Sequence, residues 1–286
     1  MINVLNKKVG KNFHIGKGST INCESFEVGD FCYIGSNVRI TCKEFKAGDY
    51  LFIKDNAEIG HGGQFNDTSK LTMGNGVFLG ERATINTARD ITIGDEVGIG
   101  DDAKIWTHGS YLNILDGFPA KFDSVKIGSN VWIQAMSHIM PGVEVLDNTV
   151  ILCGSILINS IPKGCLVGGN PAKIIKKDIY PKNISLEDKV NIINNLTKDW
   201  LTTLDNKKTN VKFNSFRIYT KNDITQIYFK SSKNHEVLLK VDLNNRKTFE
   251  YSAEEKLIED YRDFLRRNGI RFMTNKPFKS IKTKWA

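Results

Sequence analysis

The chain has 286 residues, 40% of them hydrophobic and 25% charged, which leaves room for one large or two modest domains of an ordinary globular kind. No apolar run reaches membrane-spanning length, and residues 1–10 lack the apolar core of a secretory signal, so the sequence reads as cytoplasmic. The formal charge of +8 is uneven: residues 1–180 carry 18 Lys and Arg against 19 Asp and Glu, and residues 181–286 carry 22 against 13.

From Val9 to Leu157 an aliphatic residue returns every sixth position, often followed by Gly. Taken in threes, the returns are Val9/Ile15/Ile21, Val28/Ile34/Ile40, Ala47/Ile53/Ile59, Met73/Leu79/Ile85, Ile93/Ile99/Ile105, Ile127/Ile133/Ile139 and Val145/Ile151/Leu157. A helix repeats every 3.6 residues and a half-buried strand every two, so a period of six marks a repeat architecture. Spacing that is fixed within each three and variable between them describes a triangular prism of parallel strands. Aliphatic residues point to its axis, and Gly, Asn or Asp sit at the bends. Every insertion follows a third hexad, so residues 60–70 and 106–124 leave the prism at one corner. That corner gathers His61, Asn86, Thr107 and His108. Cys23, Cys32, Cys42, Cys153 and Cys165 are odd in number and include no CxxC pair, which argues against disulfides and zinc; buried small hydrophobes are the expected role.

The ladder resembles the left-handed parallel β-helix of the hexapeptide-repeat acyltransferases. Residues 127–177 are similar to the sugar O-acetyltransferase branch through Trp132-Ile133, Pro141-Gly142-Val143, Gly154-Ser155, Ile161-Pro162 and Gly169-Asn170-Pro171-Ala172-Lys173. The expected fold is a left-handed β-helix of about seven coils over residues 1–178, followed by a basic α+β domain over 179–286. The resemblance implies acetyl-CoA as co-substrate, a sugar or polysaccharide acceptor, a homotrimer with sites between subunits, and no metal.

Acyl transfer to a hydroxyl needs a base that titrates near neutrality. The resemblance gives that role to His108, although the surrounding Trp106-Thr107-His108-Gly109-Ser110 departs from the commoner form of the loop. Asn86 and His61 are the expected acceptor contacts. Coil spacing of ~4.8 Å puts His61 roughly 10 Å from His108, too far for a direct dyad. Asp102, Asp116 or a backbone carbonyl are the candidates to orient His108. For coenzyme A the resemblance implies Trp132 along the pantetheine, the backbone around Ala135, Cys153, Gly154 and Ser155 at the thioester, and Lys173 and Lys176 at phosphate. Relatives often carry Thr-Lys where this chain has Ile158-Asn159, which removes or displaces one phosphate contact. His138, next to a ladder residue, reads as structural.

Beyond Lys177 the pattern changes. Residues 185–204 read as a helix capped by Ser185 and Asp188, and 252–268 as a second helix capped by Ser252 and Glu255. Between them 213–219, 225–229, 236–242 and 247–251 read as strands, with a last strand over 270–273. The basic excess here suits an anionic glycan or a membrane surface better than nucleic acid, and a solvated basic face is the bland alternative. The competing functions are N-acetylation of an amino sugar, a γ-type carbonic anhydrase, which would need three imidazoles, and a non-enzymatic scaffold.

Overall fold

The computed structural model describes residues 2–60, 62, 67–209, 213–221, 224–231, 236–245, 247–251, 255–272 and 277–285. Contacts divide the chain into two compact units, Met1–Lys182 and Asn183–Ala286. The first is a parallel β-helix. Its first face carries Val28, Ala47, Met73, Ile93, Ile127 and Val145 in register from coil to coil. The second carries Ile34, Ile53, Leu79, Ile99, Ile133 and Ile151, and the third Ile40, Ile59, Ile85, Ile105, Ile139 and Leu157. The register runs past both ends of the sequence ladder: Ile2 pairs with Ile21, and Ile151 with Val167. Strand Ala172–Lys176 then folds back antiparallel on Leu166–Gly169 and ends the prism.

The interior holds a second stack that the sixfold period alone does not reveal. Two residues before each ladder position another side chain turns inward, as in Val97 before Ile99, Ala103 before Ile105 and Val125 before Ile127, all buried. Each coil therefore puts six side chains into the axis, and the third face takes the small ones, Ala57, Ala83, Ala103, Ser137 and Ser155.

The glycine after the ladder residue also has a structural cause. At the corner after the first face, Asp30 Oδ1 accepts from the Lys11 N–H, Asp49 Oδ1 from Asp30, Asn75 Oδ1 from Asp49 and Asp95 Oδ1 from Asn75, at 2.6–2.8 Å. Ser129 and Asp147 continue the series. These side chains satisfy backbone donors that a sharp bend would otherwise leave unpaired. A Cβ on Gly29 would lie 2.2 Å from Asp49 Oδ1, so the bend needs glycine just before the carboxylate below.

The second unit begins with helix α1, Leu186–Leu204, whose cap residue Ser185 accepts from the Asp188 N–H at 3.0 Å, as expected. Strands Phe213–Lys221, Ile224–Ser231, Glu236–Asp242 and Lys247–Tyr251 form an antiparallel sheet in sequence order. Helix α2 runs Glu255–Arg267; Ser252, its expected cap, lies outside the described residues. Residues 270–272 are not a strand: the Ile270 N–H donates to Leu265 O at 2.8 Å at the end of α2, and the Arg262 guanidinium inside α2 donates to Phe272 O at 2.9 Å. The unit's core centres on Trp200, packed on Phe229 and Tyr261. Among the described residues no helix is long and apolar enough to cross a membrane.

Candidate active site

The open corner lies after the third face. Asn86 follows ladder residue Ile85, and Thr107 and His108 follow Ile105 one coil on. Asn86 and Thr107 are fully buried, while His108 is half-buried. His108-Gly109 pairs antiparallel with Lys121-Phe122, and this short ribbon carries residues 110–120 away from the prism. The Phe122 ring stacks on the imidazole at 5.4 Å between centroids, and the Arg89 guanidinium sits over Phe122 at 5.0 Å.

The hydrogen bonds around Asn86 determine the state of His108. Asn86 Oδ1 lies 2.9 Å from His108 Nδ1, and it also accepts from Thr107 Oγ1 at 2.8 Å and the Ala88 N–H at 3.3 Å. A backbone N–H can only donate, so the atom facing it is the amide oxygen, which can only accept. Nδ1 therefore carries a proton, and in the neutral ring Nε2 holds the lone pair. A Cβ on Gly62 would come within 3.4 Å of Nε2, so the glycine keeps the approach to that nitrogen open.

Asn86, expected at the acceptor, is fully buried, and its amide oxygen is turned inward onto His108 and Thr107. Asp102 does not orient His108: its carboxylate is held by Arg82 through two hydrogen bonds, of 2.9 and 2.8 Å. Asp116 lies in the short 3-10 helix Ile114–Asp116 of the loop. His61 falls outside the described residues.

The residues expected at coenzyme A lie further along the prism. Trp132 stands outward on the second face and is 54% exposed. In register it pairs with Val150, Val150 with Leu166, and Leu166 with Lys176, so Trp132 and Lys176 share one outward row. Lys173 is exposed on the same terminal strand. The Gly154 N–H donates to Ala135 O at 3.0 Å, and the Cys153 N–H to Gln134 Oε1 at 3.2 Å. The Ser155 side chain is buried with its hydroxyl donating to Leu152 O, so only its neighbours Cys153 and Gly154 are at the surface. Among the described residues no three His, Cys, Asp or Glu side chains are grouped to hold a metal.

Two expected outcomes arise here. Asn86→Leu removes the acceptor that fixes Nδ1–H; a hydrogen bond of about 1–3 kcal/mol corresponds to a roughly 5–150-fold fall in kcat. Asn86→Asp, which keeps an acceptor, should recover most of it, and steady-state kinetics on both variants checks the difference. Cys153 is the one exposed cysteine. Burial pushes the Cys32 thiol up to about 11, so it stays protonated and inert. A chromogenic disulfide reagent should find one fast thiol per native chain.

Residues 124–159 match the family model described as bacterial transferase hexapeptide (six repeats). A Saccharomyces cerevisiae protein bearing an acetyltransferase name is 34% identical over 112 residues, 38% of this chain and 57% of that protein. An Escherichia coli protein named for acetyl transfer in colanic acid biosynthesis is 29% identical over 110 residues, 38% of this chain and 60% of its own length. The galactoside O-acetyltransferase of Escherichia coli is 30% identical over 139 residues, covering 44% of this chain and 66% of that enzyme. The chain thus spans 57–66% of the length of these relatives. The sixfold ladder, the β-helix and these matches make the chain similar to the hexapeptide-repeat acyltransferases, whose repeat residues 124–159 carry.

Proposed function

We propose that the chain transfers an acetyl group from acetyl-CoA to a sugar hydroxyl, with His108 as general base. The observation that carries the reading is the Asn86 Oδ1 to His108 Nδ1 hydrogen bond, which in the neutral ring puts the proton on Nδ1 and the lone pair on Nε2. In the reaction Nε2 takes the hydroxyl proton as the oxygen attacks the thioester carbonyl. The tetrahedral intermediate collapses with cleavage of the C–S bond, and the imidazolium returns its proton to the departing thiolate. Asn86 accepts from Nδ1–H throughout and favours the imidazolium as it forms.

The outward row of Trp132, Val150, Leu166 and Lys176 supports a lane for coenzyme A, with the indole along the pantetheine and Lys173 or Lys176 at phosphate. The names of two relatives, in colanic acid biosynthesis and galactoside acetylation, support a sugar acceptor. The same reading carries a homotrimer, in which the exposed Tyr111, Ile114 and Leu115 of the corner loop face a neighbouring copy. Light scattering should give three chains per particle; a monomer with full activity would count against it.

The test is release of coenzyme A from acetyl-CoA against a panel of glycosides and their amino-sugar counterparts. Turnover is expected with hydroxyl acceptors and to be blocked when Cys153, beside the lane, is alkylated. Turnover confined to the amino sugars would replace this reading with N-acetylation.

A further inference from the structure

The four-stranded sheet of the second unit has two faces of different character. Ile227, Phe229, Leu239 and Val241 are buried in the core, and Phe216 and Ile218 pack against them. Strand alternation puts Arg217, Tyr219 and Lys221, with Gln226 and Tyr228 opposite, on the other face. There the Tyr219 and Tyr228 rings meet edge to face, 6.0 Å apart at 81°. The Arg217 guanidinium lies over both, 5.1 Å from the Tyr228 ring and 5.7 Å from that of Tyr219. The Tyr228 hydroxyl donates to Gln226 Oε1 at 2.7 Å. Together these side chains line a shallow depression of about 520 Å³.

Holding a tyrosine 54% exposed beside an arginine and a lysine gives the core nothing. It does give a surface with three kinds of contact: π faces for C–H groups, a planar cation for carboxylates, and an amide with hydroxyls for a ligand rich in hydroxyls. Residues 181–286 carry 22 basic against 13 acidic side chains, so the surrounding field attracts anions. Single-stranded nucleic acid calls for successive parallel platforms on which bases stack, and rings at 81° do not supply them. A bilayer surface calls for exposed apolar side chains beside the cations, and this lining has none.

We propose that this face is a second binding site, for an acidic polysaccharide: a sugar ring packs on Tyr219 while its carboxylate pairs with Arg217 and Lys221. The proposal rests on the sugar-acetylating reading, which it extends from the reacting hydroxyl to retention of the polymer by the other unit.

The test is titration calorimetry of the full chain with a galacturonate decamer, a dextran of equal length and a thymidylate decamer. The galacturonate should bind, weaken with salt, and lose about tenfold or more in affinity in Tyr219→Ala and in Arg217→Ala, while Tyr219→Phe keeps it. Circular dichroism confirms that the variants are folded. Absence of galacturonate binding, equal binding of dextran, binding unchanged by Tyr219→Ala, or thymidylate binding with the same sensitivity would each overturn the site. Acetyl transfer to small glycosides, measured alongside, separates the two readings: a chain that transfers but does not retain galacturonate overturns this proposal alone.

Discussion

Replacing His108 by Ala should lower kcat for transfer to a sugar hydroxyl by about 10²–10⁴-fold, with little change in KM for acetyl-CoA. A hydroxyl is a poor nucleophile while it keeps its proton, so the step depends on a base placed to take it. Among the described residues of the corner, Nε2 of the half-buried His108 is the ring nitrogen that the bond to Asn86 leaves as an acceptor, with Gly62 beside it. The substitution leaves Asn86 bonded to Thr107 and to the Ala88 N–H, so the corner keeps its shape. The loss should therefore fall on the chemical step rather than on binding. An amine acceptor, which needs less help, should lose far less. Near-full activity of His108→Ala on a hydroxyl would mean the base lies elsewhere.

The second large effect is on stability. Ile105→Ala should destabilise the β-helix by about 2–5 kcal/mol, read as a lower midpoint in urea unfolding. Ile105 is fully buried and in register with Ile85 below and Ile139 above, so the removed atoms leave a hole shared by three coils. In a solenoid, stability comes from each coil and its contacts with neighbours, so a hole in the middle is felt on both sides. The same coil leads into Thr107 and His108, so activity should fall with stability. An exposed residue of that coil, changed as Thr92→Ala on the prism surface, gives the comparison for a change outside the core.

The ladder was legible because six residues make one face, and every sixth side chain must return to the axis whatever the corners do. Its irregular gaps located the open corner for the same reason: insertions at any other point would break the register of Ile85 with Ile105. The second inward stack was not legible as a period of its own: Val97 and Val125 are apolar on two faces, but on the third Ala103 and Ser137 are small and carry little hydrophobic signal. The job of Asn86 was also hidden. Spacing put Asn86, Asp102 and Asp116 all near the corner, and only the packing of coils shows that Arg82 holds Asp102 while the buried amide oxygen turns to the imidazole. In the second unit, period-two alternation read the four strands closely, yet did not separate Phe216 and Phe229, which line the core, from Arg217 and Tyr228, which line the outer face. Aromatic and basic residues interleave on both strands, and which of them face solvent is settled by where α1 and α2 pack.

The most direct measurement of the central claim is the linkage formed when radiolabelled acetyl-CoA is incubated with the chain and a polysaccharide acceptor. The account predicts label on the sugar, one coenzyme A released per acetyl transferred, and an ester that mild alkali removes. Label that survives alkali as an amide, or coenzyme A released without any label on the sugar, would contradict it.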